Sequence, residues 1–117
     1  MKRIQYLAVA CLLAATAVVY GQGSAAPKAG AAGNAKKGKD VFDQQCGLCH
    51  DALTTDKKMG PGLKGLFKMQ KLSTNKKPVN DANVMERVNQ GGNGMPPYEE
   101  MISAADKADL LAYLKTI

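Results

Sequence analysis

Apolar and polar positions divide the chain into regions of different period. Leu7 to Val19 is an apolar run broken only by Thr16, and Lys2 and Arg3 precede it. From Ser24 to Gly33 the residues are mostly Ala, Gly and Ser, with one Pro and no apolar periodicity, which predicts a flexible leader. Beyond Gly33 the spacing changes to three and four. Gly38, Val41, Phe42 and Gln45 predict a helix from an Asn34 cap to about Cys46. Val84, Met85 and Val88 predict a second over Asp81 to Gln90, capped by Asn80 or Asp81 and ended by Gly91-Gly92. Leu110, Tyr113, Leu114 and Ile117 form the stripe of a third, opened by Ser103 with Asp106 three positions on. Asp106 and Asp109 are expected near the positive end of its dipole and Lys115 near the negative end. No stretch alternates as a strand, so the fold class is all-α.

Gly38 needs a reason, because a glycine inside a helix costs about 1 kcal/mol relative to alanine. Close approach of the last helix supplies one, with Leu110 and Tyr113 crossing over Gly38 and Phe42. Between the terminal helices, Met59-Gly60-Pro61-Gly62 reads as a turn and Leu63, Leu66 and Phe67 as a short helical turn after it. Gln70 to Lys77 reads as a polar loop, with Lys68, Lys71, Lys76 and Lys77 exposed.

The 117 residues allow one small domain once the amino terminus is set aside. Residues 1–25 have the charged start, apolar middle and small-residue end of a signal peptide; 26–33 form the leader and 34–117 the domain. The apolar run is shorter than the roughly twenty residues of a membrane span. An uncleaved anchor is the alternative, and in that case alone is a membrane a partner. Cys11 leaves with the signal, and Cys46 and Cys49 remain. The net charge of +6 falls to +4 once Lys2 and Arg3 are removed. The scattered basic residues lack interleaved aromatics, which argues against nucleic acid. They suit an acidic protein surface, and equally the simple solubility of an exported, periplasmic protein.

Chemistry concentrates in Cys46-Gly47-Leu48-Cys49-His50. A C-x-x-C-H pentapeptide is the pattern of covalent haem attachment. Two thiols three positions apart project from one side of a helical turn and can each reach a vinyl group of one porphyrin, while His50 can approach the iron. Zinc would need about four thiolate or imidazole ligands, and there is no second histidine. A redox dithiol would be expected at the start of a helix after a strand, and no strand precedes this motif. Apolar residues Leu63, Leu66, Phe67, Val84 and Val88 would enclose the haem and supply much of a thin core. The haem-free chain is therefore expected to be largely unfolded.

The sixth iron position decides between electron transfer and ligand chemistry. With one histidine in the chain, a methionine sulfur is the next candidate. Met85 and Met101 read as core filler, Met69 as surface or cover, and Met59 as a packing sulfur near the haem edge. Met95 is best placed. It sits in Gly91-Gly92-Asn93-Gly94-Met95-Pro96-Pro97-Tyr98, where glycines permit close backbone approach and two prolines stiffen the exit.

Taken together, Gly38 and Phe42 before Cys46-x-x-Cys49-His50, then Gly60-Pro61-x-Leu63 with Gly65-Leu66-Phe67, Gly94-Met95-Pro96-Pro97-Tyr98 and Leu110-x-x-Tyr113-Leu114, closely resemble the small class I c-type cytochromes. The Met-Pro loop is most similar to the haem domains of cbb3-type oxidase subunits. This resemblance implies a cytochrome c fold around one haem c, a proximal His50 whose ring hydrogen-bonds the carbonyl of Pro61, and Met95 as distal ligand. It also implies a non-enzymatic electron carrier with protein donors and acceptors and no small-molecule substrate. The competing readings are a haem protein with a labile sixth site, peroxidase-like or gas-sensing, and a membrane-tethered subunit of an oxidase or dehydrogenase.

Overall fold

Each helix begins where a short polar side chain can satisfy the free N–H groups of its first turn. In the computed structural model, which describes residues 32–117, α1 spans Ala35–Gln45 and Asn34 accepts hydrogen bonds from the amides of Lys36 and Lys37. Helix α2, Asp81–Gln90, is capped by the Asn80 side chain on the Asn83 amide. Helix α3, Ala104–Leu114, is opened by Ser103, whose hydroxyl accepts from the Asp106 amide and donates to the Asp106 carboxylate. A short 3₁₀ turn, Leu66–Lys68, follows Gly65 in the left-handed region. Among the described residues there is no strand, only two isolated antiparallel bridges, Lys71 with Pro78 and Gly92 with Met95. The fold is all-α, and its three helices match the periodic segments. The expected signal peptide over 1–25 and nearly all of the 26–33 leader lie outside the described residues.

The core is built where α1 crosses α3. A Cβ on Gly38 would collide with the backbone carbonyl of Asp109, and one on Gly33 with that of Ala108. These two glycines let the segments approach to backbone contact. Beside them Phe42 meets Tyr113 with ring centroids 5.5 Å apart, tilted by 59°, an arrangement favoured by the ring quadrupoles. Leu110 is the most deeply buried side chain, at 1% exposure, and Leu114 lies next to it in the same cluster. Helix α2 is joined to the far end of α3 by the ion pair of Lys115 with Asp81 at 2.6 Å, and the same ammonium lies 5.7 Å from the centre of the Phe67 ring.

Three expectations are corrected. Asp109 does not serve its own helix dipole from the first turn. It sits in the middle of α3, and its carboxylate takes the Asn34 amide at 2.6 Å, so it caps the entrance of α1 instead. Leu72 is buried inside the segment 70–77 expected to be polar and exposed, because the bond from its amide to the Lys77 carbonyl folds that loop back on itself. Met101 is 62% exposed rather than core filler: it precedes the α3 cap, and Ile102 turns inward in its place.

Candidate haem site

The C-x-x-C-H segment continues directly from α1. Cys46 is the helix C-cap, and the amides of Cys49 and His50 both donate to its carbonyl, at 3.0 and 2.9 Å, which winds the pentapeptide into one more turn. The two thiols and the imidazole therefore share one turn, as their spacing predicts. Burial pushes the Cys46 thiol up to about 11, with the neighbouring Cys49 adding to the effect. A thiol held neutral in this way is the opposite of an activated redox thiolate.

His50 is fixed from two sides. Its Nδ1 lies 2.8 Å from the Pro61 carbonyl. A carbonyl can only accept, so Nδ1 carries the proton and, in the neutral ring, Nε2 keeps its lone pair for a metal. Gly60 closes the other side. A Cβ there would stand 2.7 Å from Nδ1 and closer still to Cε1, so only a glycine leaves the ring where it is. The 50–63 segment is tied down by bonds from the Gly60 amide to Cys49 O at 2.8 Å and from the Leu63 amide to Asp51 O at 2.7 Å. The Asp51 carboxylate accepts from the amides of Leu53 and Thr54 at 2.8 and 3.0 Å and lies 3.8 Å from the Lys58 ammonium. The Leu53 hydrogen bond is the main reason its carboxyl titrates below the usual range, with Thr54 and Lys58 acting in the same direction. Asp51 does not stand out from sequence alone; its one signal is Asp-x-x-Thr, the pattern of a side chain capping its own turn.

Of the remaining predicted residues, Leu66 is buried in the cluster that holds Phe42 and Cys46, while Leu63 and Phe67 are half-buried against it. Met95 is half-buried on a loop with Gly91, Gly92, Asn93 and Gly94 all at positive φ. That run explains three glycines and an asparagine in four positions. The Gly92 amide donates to Met95 O at 2.8 Å and the Met95 amide returns to Gly92 O at 3.2 Å, closing the loop on itself. Arg87 Nη1 donates to Gly91 O at 2.6 Å, while Arg87 Nε and Asn89 Oδ1 are buried with no partner among the described residues. The Tyr98 hydroxyl reaches the Gln45 carbonyl at 2.9 Å. Burial first, then the nearness of Cys46 and Cys49, raises the Tyr98 phenol above its ordinary value.

This donor set fits a haem. Two thiols and an imidazole with a free Nε2 lie on one turn, and a methionine sits on a preshaped loop. A terminal-helix crossing that carries C-x-x-C-H at the end of its first helix defines a class I monohaem c-type cytochrome. Residues 33–114 match the family described as cytochrome C oxidase, cbb3-type, subunit III. A cytochrome c of Gossypium barbadense is 34% identical over 102 residues, spanning 71% of this chain and 89% of its own. The structure of cytochrome c6 from the diatom Phaeodactylum tricornutum superposes with a TM-score of 0.57 at 22% identity, over 72% of this chain and 93% of that one, a likeness of fold. The chain belongs to the cbb3-type subunit III family of cytochromes. It carries one covalently bound haem c and is a haem electron carrier that works with redox partners.

Proposed function

We propose that this protein is an exported, non-enzymatic one-electron carrier, with Cys46 and Cys49 as the thioether tethers and His50 and Met95 as the axial ligands. The observation that carries this reading is the His50 Nδ1 hydrogen bond to Pro61 O at 2.8 Å. It commits one ring nitrogen, orients the ring, and makes Nε2 a stronger donor to iron. When bound, haem supplies a ferric/ferrous couple, and methionine raises its potential relative to a second histidine. The chain's own part is to hold both ligands still. Gly60 and Pro61 fix the imidazole, and the closed Gly92–Met95 loop fixes the thioether. A labile-site haem enzyme would use a distal imidazole or a free guanidinium. His50 is the chain's single histidine, so it cannot be both proximal ligand and distal imidazole; Arg87 Nη1 is engaged by Gly91 O, although its Nε has no partner among the described residues.

Spectroscopy of the holoprotein tests the ligation. The ferric form is expected to show the weak sulfur-to-iron charge-transfer band, and the ferrous form to resist carbon monoxide at neutral pH. Met95→Ala should abolish the band and open the iron to carbon monoxide, whereas Met85→Ala should do neither. Rapid carbon monoxide binding by the wild type would overturn the reading.

Docking to an acidic partner is supported by the distribution of charge. Lys57, Lys58, Lys64, Lys68, Lys71, Lys76 and Lys77 are all exposed, and no acidic residue lies between Asp56 and Asp81. Lys58 and Lys77 are partly neutralised by Asp51 and Glu86, which leaves Lys57, Lys64, Lys68, Lys71 and Lys76 to steer. Electron transfer to an acidic redox protein should slow as salt is raised, and Lys68→Glu with Lys71→Glu should remove most of that dependence. A rate that ignores salt would exclude steering. Export rests on the Lys2, Arg3 and Leu7–Val19 pattern. No helix among the described residues is long and apolar enough to cross a membrane. The intact mass of the mature protein reports whether the first 25 residues are removed.

A further inference from the structure

The Met95 loop is bound almost entirely to itself and to α2. The Gly91 amide donates to Arg87 O at 2.9 Å, the Gly92 and Met95 backbones exchange bonds, and the Tyr98 amide donates to Val88 O at 3.0 Å. One hydrogen bond among the described residues leaves this unit for the part of the chain that bears Cys46, and it comes from the Tyr98 hydroxyl. Its acceptor matters. Gln45 is the last residue of α1, so its carbonyl is one of the four that a helix end leaves without an intrahelical donor. The amides that follow do not use it: those of Cys46 and Gly47 bond to Phe42 O, and those of Cys49 and His50 to Cys46 O. Tyr98, half-buried beside this end, supplies the missing donor across fifty-three positions of sequence.

We infer that Tyr98 is the positioning residue of the centre, its hydroxyl tying the Met95 loop to the carbonyl that closes α1 next to Cys46. Haem attached at Cys46 moves with α1, and Met95 moves with α2. The Tyr98–Gln45 bond holds the two bodies in register and keeps the sulfur on the iron against competing ligands. This inference rests on the reading of His50 and Met95 as axial ligands.

The test uses ferric holoprotein as wild type, Tyr98→Phe and Ser103→Ala. Tyr98→Phe keeps the ring and removes one hydrogen bond. It should retain the sulfur-to-iron band at neutral pH, bind added imidazole about three- to tenfold more tightly, and lose the band at lower pH than the wild type. Ser103→Ala removes the α3 cap and should lower the melting temperature while leaving imidazole affinity and the pH of band loss unchanged. If Tyr98→Phe matches the wild type on both counts while both show the band, the inference is overturned. It is overturned equally if Ser103→Ala shifts them as far, since general stability would then be the cause. A wild type without the band strikes the ligation itself, and the positioning role falls with it.

Discussion

Gly60 is a glycine because of the imidazole beside it, not because of its backbone angles. Its φ is not among the positive ones, yet a Cβ would press on three atoms of the His50 ring. Gly60→Ala should therefore displace the ring, lengthen the Nδ1–Pro61 bond, and cost about 1–3 kcal/mol as an overpacked site does. Urea unfolding of the holoprotein measures the loss, and a shifted Soret band would report the tilted ligand. Asp51 gives a second prediction of opposite character. Its carboxyl is held below the ordinary range, so the unfolded chain binds the proton more readily. The stabilisation is present above the usual carboxylate pKa and is lost as pH falls through the lowered one. In Asp51→Asn the melting temperature should sit slightly below wild type at neutral pH, and the gap should close in acid. A gap constant with pH would show that the charge plays no part. The shared turn of Cys46, Cys49 and His50 could be read from the sequence because their relation is local. The role of Gly60 against His50 could not, since it depends on a return of the chain that no periodicity encodes.

At the level of elements, the helices were legible because each has both a period and a cap. Asn34, Asn80 and Ser103 all make the bonds that their positions predict. The crossing of α1 with α3 was legible too, since a glycine in mid-helix beside a phenylalanine calls for a close neighbour. Gly38→Ala tests how close. Its methyl would meet the Asp109 carbonyl, and overpacking of about 1–3 kcal/mol should outweigh the ~1 kcal/mol that alanine gains in helix propensity. A stabilised variant in thermal melts would mean that the helices separate without cost. What stayed hidden lies between elements. Leu72 is a lone apolar residue in a basic loop, and one residue has no period. Asp109 fits a dipole argument on paper, but its carboxylate reaches the start of another helix seventy-five positions away. Met101 reads as core filler from its residue type alone, yet it lies just before the Ser103 cap and is exposed.

For the whole molecule, the protein interior is narrow. Among the described residues only Leu110 falls to 1% exposure, while Leu48, Leu53 and Met59 around the haem motif are exposed by 82, 72 and 68%. A chain this short buries a smaller share of its apolar surface than a larger domain does, so a bound porphyrin would add a substantial part of the apolar interior. Haem-free protein should show weak helical circular dichroism and no cooperative melt; a native-like transition would refute this. The α1–α3 crossing also sets an order of events. Helix α1 has eleven residues, too few to be stable alone in water, and its partner α3 lies far downstream of Cys46 and Cys49. Until α3 packs on α1, Cys46 and Cys49 sit at the end of a segment that does not hold its helix. The attachment site thus stays open while α3 is undocked, and packing of α3 on α1 closes the fold beside it.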